Sequence, residues 1–532
     1  MLEKSLEHSY SVQHYPGLPN PAFRALRRVL FVLLVLHSIS HESAHSQGVL
    51  PLAKKWVGTW STAPQLVETA NNPPSPGLSN NTLRQIVHVS LGGDSLRIRF
   101  TNEFSTSQVK LNSVHIALSA GGGKIDTTTD RAVYFNGLPE VTMERGAAVT
   151  SDAFRFTIQP LSDVAVTVYF GNTSPDVSGH PGSRTTSYIL TGNTVANADF
   201  PGAVTTDHWY VINTIDVLAP DSAYAVATLG NSITDGRGSG TNKQNRWPDE
   251  LARRLQANPA TRQVAVLNEG IGGNAVLTGG LGPTALNRFG RDVLNQSGVK
   301  WLIILEGIND IGGAFGSGVG NNLINAYKQM IQNAHSKGLL VYGATLLPMR
   351  GNSYYSTSHE AERQIVNQWI RNGGLFDGVI DFDLALRNPA DTLSLLPADD
   401  TGDHLHPNET GHHMMAEAVD LKLFGLSGTQ TGVLNLTEVP DKYGLEQNYP
   451  NPFNPTTRIR FSISKASRVS LKIFDMLGKE IATLVQDSLQ AGVHSVTWNG
   501  RKSDGTKVAS GTYLCRLVVG DQAISQKMLL LK

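Results

Sequence analysis

One cysteine, Cys515, stands in 532 residues. A single thiol closes no intramolecular disulfide and excludes a zinc site built from several thiolates. Excess charge of either sign is also lacking. Lys+Arg and Asp+Glu number 44 each, and charged residues make up only 17% of the chain. That balance gives no electrostatic case for nucleic acid or for an anionic membrane surface. No segment reaches the roughly 20 apolar residues that a bilayer-spanning helix needs. The longest candidate, Val29–Leu36, follows Arg24, Arg27 and Arg28 and precedes Ala44-His45-Ser46-Gln47. A positive flank, a short apolar run and small residues at the cleavage positions read as a signal peptide over residues 1–46. The expectation is a secreted or cell-surface chain, with no transmembrane segment once the signal is removed.

What is present is apolar residues at 40%, with 52 Gly and 25 Pro. The length predicts two to four domains, and the patterning divides them. From 47 to 216 the period is two: Leu96, Ile98 and Phe100 alternate with Arg97, Arg99 and Thr101, and Val164, Val166, Val168 and Phe170 recur likewise. Gly92-Gly93-Asp94 between Leu83–Leu91 and this run predicts a hairpin. The segment reads as a β-sandwich-like module. From 217 to 425, near-continuous apolar runs (Tyr224–Leu229, Val264–Leu267, Trp301–Leu305, Leu339–Ala344, Val379–Phe382) alternate with amphipathic segments such as Pro248–Leu255 and Leu323–Lys337. That alternation predicts a parallel sheet covered by helices on both faces, a three-layer α/β/α domain. Gly312–Gly320 reads as a flexible loop. Residues 426–444 read as a Gly/Ser/Thr-rich linker with few contacts between the flanking domains. Residues 445–532 return to period two, with Phe461, Phe474 and Trp498 as candidate core residues of an all-β domain.

Four short stretches in the α/β segment carry polar chemistry. Gly230-Asn231-Ser232 follows the first parallel strand, where sites of such sheets lie. Gly270-Ile271-Gly272-Gly273-Asn274 follows the second, and its glycines let backbone N–H groups approach a ligand. Gly307-Ile308-Asn309-Asp310 follows the third, with a side-chain amide able to donate to an oxyanion. Asp403-His404-Leu405-His406 precedes the last helix, close enough for the carboxylate to fold back onto the His406 imidazole. Taken singly, each also reads as an ordinary turn, cap or surface loop. A rival reading of the last stretch is a metal site from Asp403, His404, His406, His412 and His413.

In this order, each at a strand end, the four stretches resemble the signature blocks of the SGNH/GDSL hydrolase superfamily. The resemblance implies a flavodoxin-like α/β/α hydrolase fold. It also implies Ser232 as nucleophile, Asp403 and His406 as its triad partners, and an oxyanion hole from Ser232, Gly273 and Asn309. No cofactor and no metal is implied. The departure is Asn231, where the family carries Asp. Trp56-Val57-Gly58-Thr59-Trp60-Ser61-Thr62-Ala63-Pro64 ahead of the domain resembles a bacterial subgroup that includes xylan-linked esterases. That implies an acylated carbohydrate, with O-acetyl groups of xylan foremost, as the ester substrate. The alternatives are lipid or short acyl esters, or a non-catalytic glycan-binding protein.

The tail carries Asn448-Tyr449-Pro450-Asn451-Pro452-Phe453-Asn454-Pro455, Trp498-Asn499-Gly500 and Gly511-Thr512-Tyr513. These resemble the C-terminal Ig-like sorting domains of type IX secretion substrates, and imply the secretion machinery as a partner. A small β module that binds glycans is the alternative.

Overall fold

A computed structural model describes residues 53–174, 176–425, 442–448 and 451–531. The expected signal peptide and most of the expected linker lie outside the described residues, as do Tyr449 and Pro450. The chain divides into Met1–Ala53 and Lys54–Lys532; everything below concerns the second unit.

Its first part is built from β1 (Lys54–Ser61), β2 (Asn81–Val89), β3 (Gly93–Thr101), β4 (Val109–Gly121), β5 (Phe154–Ile158), β6 (Ser162–Phe170), β7 (Ser187–Thr191), β8 (Val204–Thr206) and β9 (Ile212–Pro220). One antiparallel sheet runs β1-β9-β3-β5 and another β8-β7-β2-β6-β4, each with short further strands paired to it. The alternation seen in sequence puts Leu96, Ile98 and Phe100 fully inside with Val164, Val166 and Val168. The hairpin expected around Gly92 does not form. β2 pairs with β6 and β7, whereas β3 pairs with β9 and β5, so the chain crosses from one sheet to the other. A tight hairpin needs positive φ in its turn, and neither Gly92 nor Gly93 adopts it. Both are small because the backbone passes close to its neighbours. A Cβ on Gly92 would lie 2.8 Å from the Ile158 carbonyl, and one on Gly93 2.4 Å from Val217 Cγ2. β9 also runs on to Pro220, past the boundary expected at 216/217.

The second part is a parallel sheet of β10 (Tyr224–Gly230), β11 (Val264–Gly270), β12 (Val299–Leu305), β13 (Leu340–Ala344) and β14 (Gly378–Ile380), in the order β11-β10-β12-β13-β14. The five apolar runs mark these strands, except that Phe382 opens a helix instead of ending β14. The helices are α1 (Ser232–Asp235), α2 (Trp247–Ala257), α3 (Ala285–Phe289), α4 (Ile308–Gly312), α5 (Val319–Ser336), α6 (Thr357–Asn372), α7 (Phe382–Leu386) and α8 (Glu409–Glu417). α2, α7 and α8 pack as one group and α3 to α6 as another. α5 starts four residues before the sequence pattern predicts, which shortens the expected Gly312–Gly320 loop. The Glu362 carboxylate accepts the Gly318 and Gly320 N–H groups at 2.6 and 2.7 Å and so supplies the missing cap. Ala225, Ala265 and Leu267 of this sheet lie in one apolar cluster with Val57, Ile215 and Val217 of the sandwich.

The third part is all β, with antiparallel strands spanning Thr457–Ile463 to Gln522–Leu530. Phe461 and Trp498 are core residues, as is Cys515. Phe474 is only partly buried, because Ile473 takes the inward position of that strand and its neighbour faces the other way. No helix of the described residues is long and apolar enough to cross a membrane.

Candidate active site

β10 delivers Ser232 to the end of the sheet. Gly230 is required there, since a Cβ would sit 2.0 Å from Thr234 Oγ1. Asn231 then caps α1, its Oδ1 accepting the Ile233 N–H at 3.0 Å. Ser232 takes the first helical position, where a backbone N–H has no acceptor inside its helix. Its hydroxyl lies 2.8 Å from His406 Nε2. His406 Nδ1 lies 2.6 Å from Asp403 Oδ2, and Asp403 Oδ1 accepts the Leu405 and His406 N–H groups at 3.0 and 2.9 Å. The carboxylate therefore folds back over its own loop. It fixes the tautomer in which Nδ1 carries the proton and Nε2 faces the serine. Asn352 Nδ2 holds the loop from outside by donating to the Asp403 carbonyl at 2.7 Å.

Burial opposes charge on Asp403, but the His406 and Leu405 N–H groups and the His406 ring outweigh it and hold the carboxyl well below the usual range. Burial lowers the His406 pKa below its ordinary 6.5. Asp403 opposes that fall, and the charges of Arg237 and Arg184 add to it. The imidazole is thus neutral at pH 7 and able to take a proton.

Gly273 and Asn309 follow β11 and β12, the strands on either side of β10. Gly273 has φ +69. Asn309 Nδ2 donates to the Asn274 carbonyl at 2.7 Å, and its Oδ1 accepts the Tyr354 hydroxyl at 3.1 Å. The amide orientation is thereby set, leaving one N–H for a ligand. Asp310 accepts the Val276 and Leu277 N–H groups at 2.9 Å each, tying the second block to the third.

The five residues of the rival metal reading are not brought together. His404 pairs with Asp400, His412 is buried against the Arg237 carbonyl, and His413 faces Glu250. No group of three metal-ligating side chains occurs among the described residues.

Sequence reasoning missed the floor of the site. Arg288, fully buried, donates to the Asn274 side chain (2.9 Å), the Glu269 carbonyl (2.6 Å) and the Gly230 carbonyl (3.0 Å), and pairs with Asp292 and Glu306. Nothing in its local sequence separates it from a solvated helix arginine. Burial pushes Glu306 up to about 8, and Asn231 Nδ2 donates to its carboxyl at 3.3 Å. Asn at 231 keeps a second carboxylate away from that buried acid, which gives the departure from the usual motif a local reason.

The model of the GDSL-like lipase/acylhydrolase family matches residues 228–414, and that of the FlgD Ig-like domain matches residues 451–522. The first match makes the α/β part a carboxylic ester hydrolase domain. The basal-body rod modification protein FlgD of Salmonella typhimurium is 36% identical over 66 residues, 12% of this chain. The chain spans 28% of that relative's length. Among solved structures, a GDSL-like lipase from Bacteroides thetaiotaomicron is 19% identical (36% of this chain, 84% of that one, TM-score 0.27). The acetylxylan esterase Axe2 from Geobacillus stearothermophilus is 20% identical (39% and 97%, TM-score 0.30).

Proposed function

With residues 228–414 as a GDSL-like hydrolase domain, we propose that the whole chain is an exported serine esterase that removes O-acetyl groups from plant polysaccharide such as xylan. The observation that carries the catalytic reading is the continuous chain Ser232 Oγ, His406 Nε2, His406 Nδ1, Asp403 Oδ2, with links of 2.8 and 2.6 Å. In this reading Ser232 attacks the ester carbonyl as His406 takes its proton, and Asp403 stabilises the imidazolium. The N–H groups of Ser232 and Gly273 and the Asn309 amide receive the oxyanion. His406 then protonates the leaving alcohol. Water, deprotonated by the same imidazole, releases the acid and restores Ser232.

The two helix groups support an α/β/α layering for this domain. The segment over residues 1–46 supports export by its flank and apolar run. The Ig-like match and the Asn448–Pro455 stretch support a sorting role for the C-terminal domain, with type IX secretion machinery as its partner. A lipid or longer-acyl substrate draws support from the fully exposed Phe315 and from Leu281, which packs beside Gly273.

The test compares acetate release from acetylated xylan with turnover of aryl esters of increasing chain length. Ser232→Ala should lower kcat by about 10⁴ or more while leaving thermal unfolding nearly in place. Retention of most turnover by the variant would refute the nucleophile assignment. A rate rising steadily with acyl length would replace the acetyl reading by the lipid one.

A further inference from the structure

The sandwich reaches into the site. His180 Nε2 lies 2.8 Å from Asp235 Oδ1, both side chains buried, and Asp235 ends the short helix that Ser232 begins. The turn after His180 is pressed against that carboxylate: a Cβ on Gly182 would lie 2.0 Å from Asp235 Oδ2. A Cβ on Gly272 would lie 3.4 Å from the same oxygen, so this turn and the glycine block flank one buried acid. Arg184 follows, with φ +51, a conformation a non-glycine residue holds at a cost. Its carbonyl accepts the Asn242 N–H at 2.9 Å, and Asn242 Oδ1 accepts the Thr186 N–H at 2.8 Å, clamping the turn onto the α/β domain. The Arg184 guanidinium is only loosely paired, 4.0 Å from Asp235, and its buried Nε has no hydrogen-bond partner.

A second arginine, Arg237, follows the short helix that Ser232 begins. The Arg237 N–H donates to the Ser232 carbonyl at 2.8 Å, and its own carbonyl lies 3.0 Å from His412 Nε2. A Cβ on Gly238 would lie 2.0 Å from the Pro407 carbonyl, so this segment runs against the residue after His406. Arg237 is exposed and makes no ion pair among the described residues. The acids nearby are already engaged: Asp235 by His180, and Asp403 by His406 and its own loop.

We propose that Arg184 and Arg237 form an anion subsite beside Ser232, through which the N-terminal module selects esters whose alcohol half carries a carboxylate, as in an O-acetylated, uronic-acid-bearing saccharide. This rests on the esterase reading above. The alcohol half is the one concerned because His406 protonates the leaving alcohol, and the Arg237–Gly238 backbone runs against Pro407, the residue after His406. Two guanidinium forks suit the planar carboxylate.

The experiment measures kcat/KM of the full chain on methyl O-acetyl-glucuronoside and on methyl O-acetyl-glucoside. The wild type should favour the uronate by about tenfold, the size of one charge-assisted hydrogen bond. That ratio should shrink with added salt. Arg237→Gln and Arg184→Gln should each cut the ratio severalfold, and Arg237→Lys should keep part of it. If Arg184→Gln fails to fold, the exposed Arg237 position carries the test alone. Hydrolysis of both sugars with equal efficiency, or a preference that survives Arg237→Gln, overturns the subsite and leaves the esterase reading standing. Turnover of neither sugar nor any aryl acetate overturns both.

Discussion

In the proposed mechanism the imidazole must be unprotonated to take the Ser232 proton, so the His406 environment sets the acid limit of activity. Burial lowers its pKa first, and the Arg237 and Arg184 charges act in the same direction against Asp403. Below that pKa the ring is an imidazolium and cannot accept the Ser232 proton; above it the ring is competent. The kcat/KM of a neutral aryl acetate should therefore fall on the acid side with a midpoint under the ordinary histidine value of 6.5. A pH profile whose acid limb lay above 7 would contradict this environment. Asp403, held well below the usual carboxylate range, contributes no limb between pH 4 and 8.

At the scale of elements, the site depends on three strand ends staying in register, and Arg288 is the side chain that joins them. It reaches the carbonyls of Gly230 and Glu269, at the ends of β10 and β11, and Glu306 just after β12. Arg288→Met fills similar volume but takes one of two arginine partners from Asp292, which keeps Arg291, and the counter-charge from Glu306, which burial pushes up to about 8. Stripping a buried charge of its sole partner costs about 3–5 kcal/mol; with Arg291 still in place the loss is smaller, so the variant should unfold at a lower temperature and lose kcat more than KM. A fall in kcat with unfolding unmoved would show that the network aligns the strand ends without stabilising them. The sequence makes the strands legible, because Tyr224–Leu229 or Trp301–Leu305 cannot be anything but buried in an alternation with helices. It makes Ser232, Gly273 and Asn309 stand out because their blocks follow parallel strands, and Asp403 and His406 because of their close spacing ahead of the last helix. It leaves Arg288 and Tyr354 hidden, since their partners lie far along the chain. The hairpin at Gly92 fails for a related reason. Two adjacent period-two runs do not say whether the strands pair or pack face to face, and only the backbone angles at the glycines decide it.

For the whole molecule, a linker of Gly, Ser and Thr implies loosely attached neighbours, yet Arg458 of the C-terminal domain is buried against Asp399 and donates to the Ala385 carbonyl at 3.0 Å. Asp399 belongs to the base of the loop that carries Asp403 and His406: its carbonyl accepts the Asn408 N–H at 2.8 Å, and the Thr401 N–H donates to the His406 carbonyl at 3.1 Å. Burial pushes Asp399 up to about 6 although Arg458 opposes the rise. Two ways of removing Arg458 then have different consequences. Ending the chain at Thr437 takes the arginine away together with the domain that covers Asp399, so the carboxylate gains water in place of its partner. The hydrolase domain should keep aryl-acetate kcat/KM within about twofold, since the bonds joining Ser232, His406 and Asp403 lie within it and no buried charge is left unpaired. Arg458→Met in the full chain keeps the cover and removes the partner, which leaves a carboxylate unpaired in a buried place. That penalty exists only while Asp399 is ionised. It should be present at pH 7.5, where the variant unfolds or sheds its C-terminal domain to protease more readily than the wild type. It should shrink as the pH falls through 6 toward 5 and Asp399 takes up a proton. Equal sensitivity of variant and wild type at pH 7.5 would mean that Arg458 does not hold the domain, and a truncation with much reduced kcat/KM would mean that the domain supports the loop of Asp403 and His406 directly.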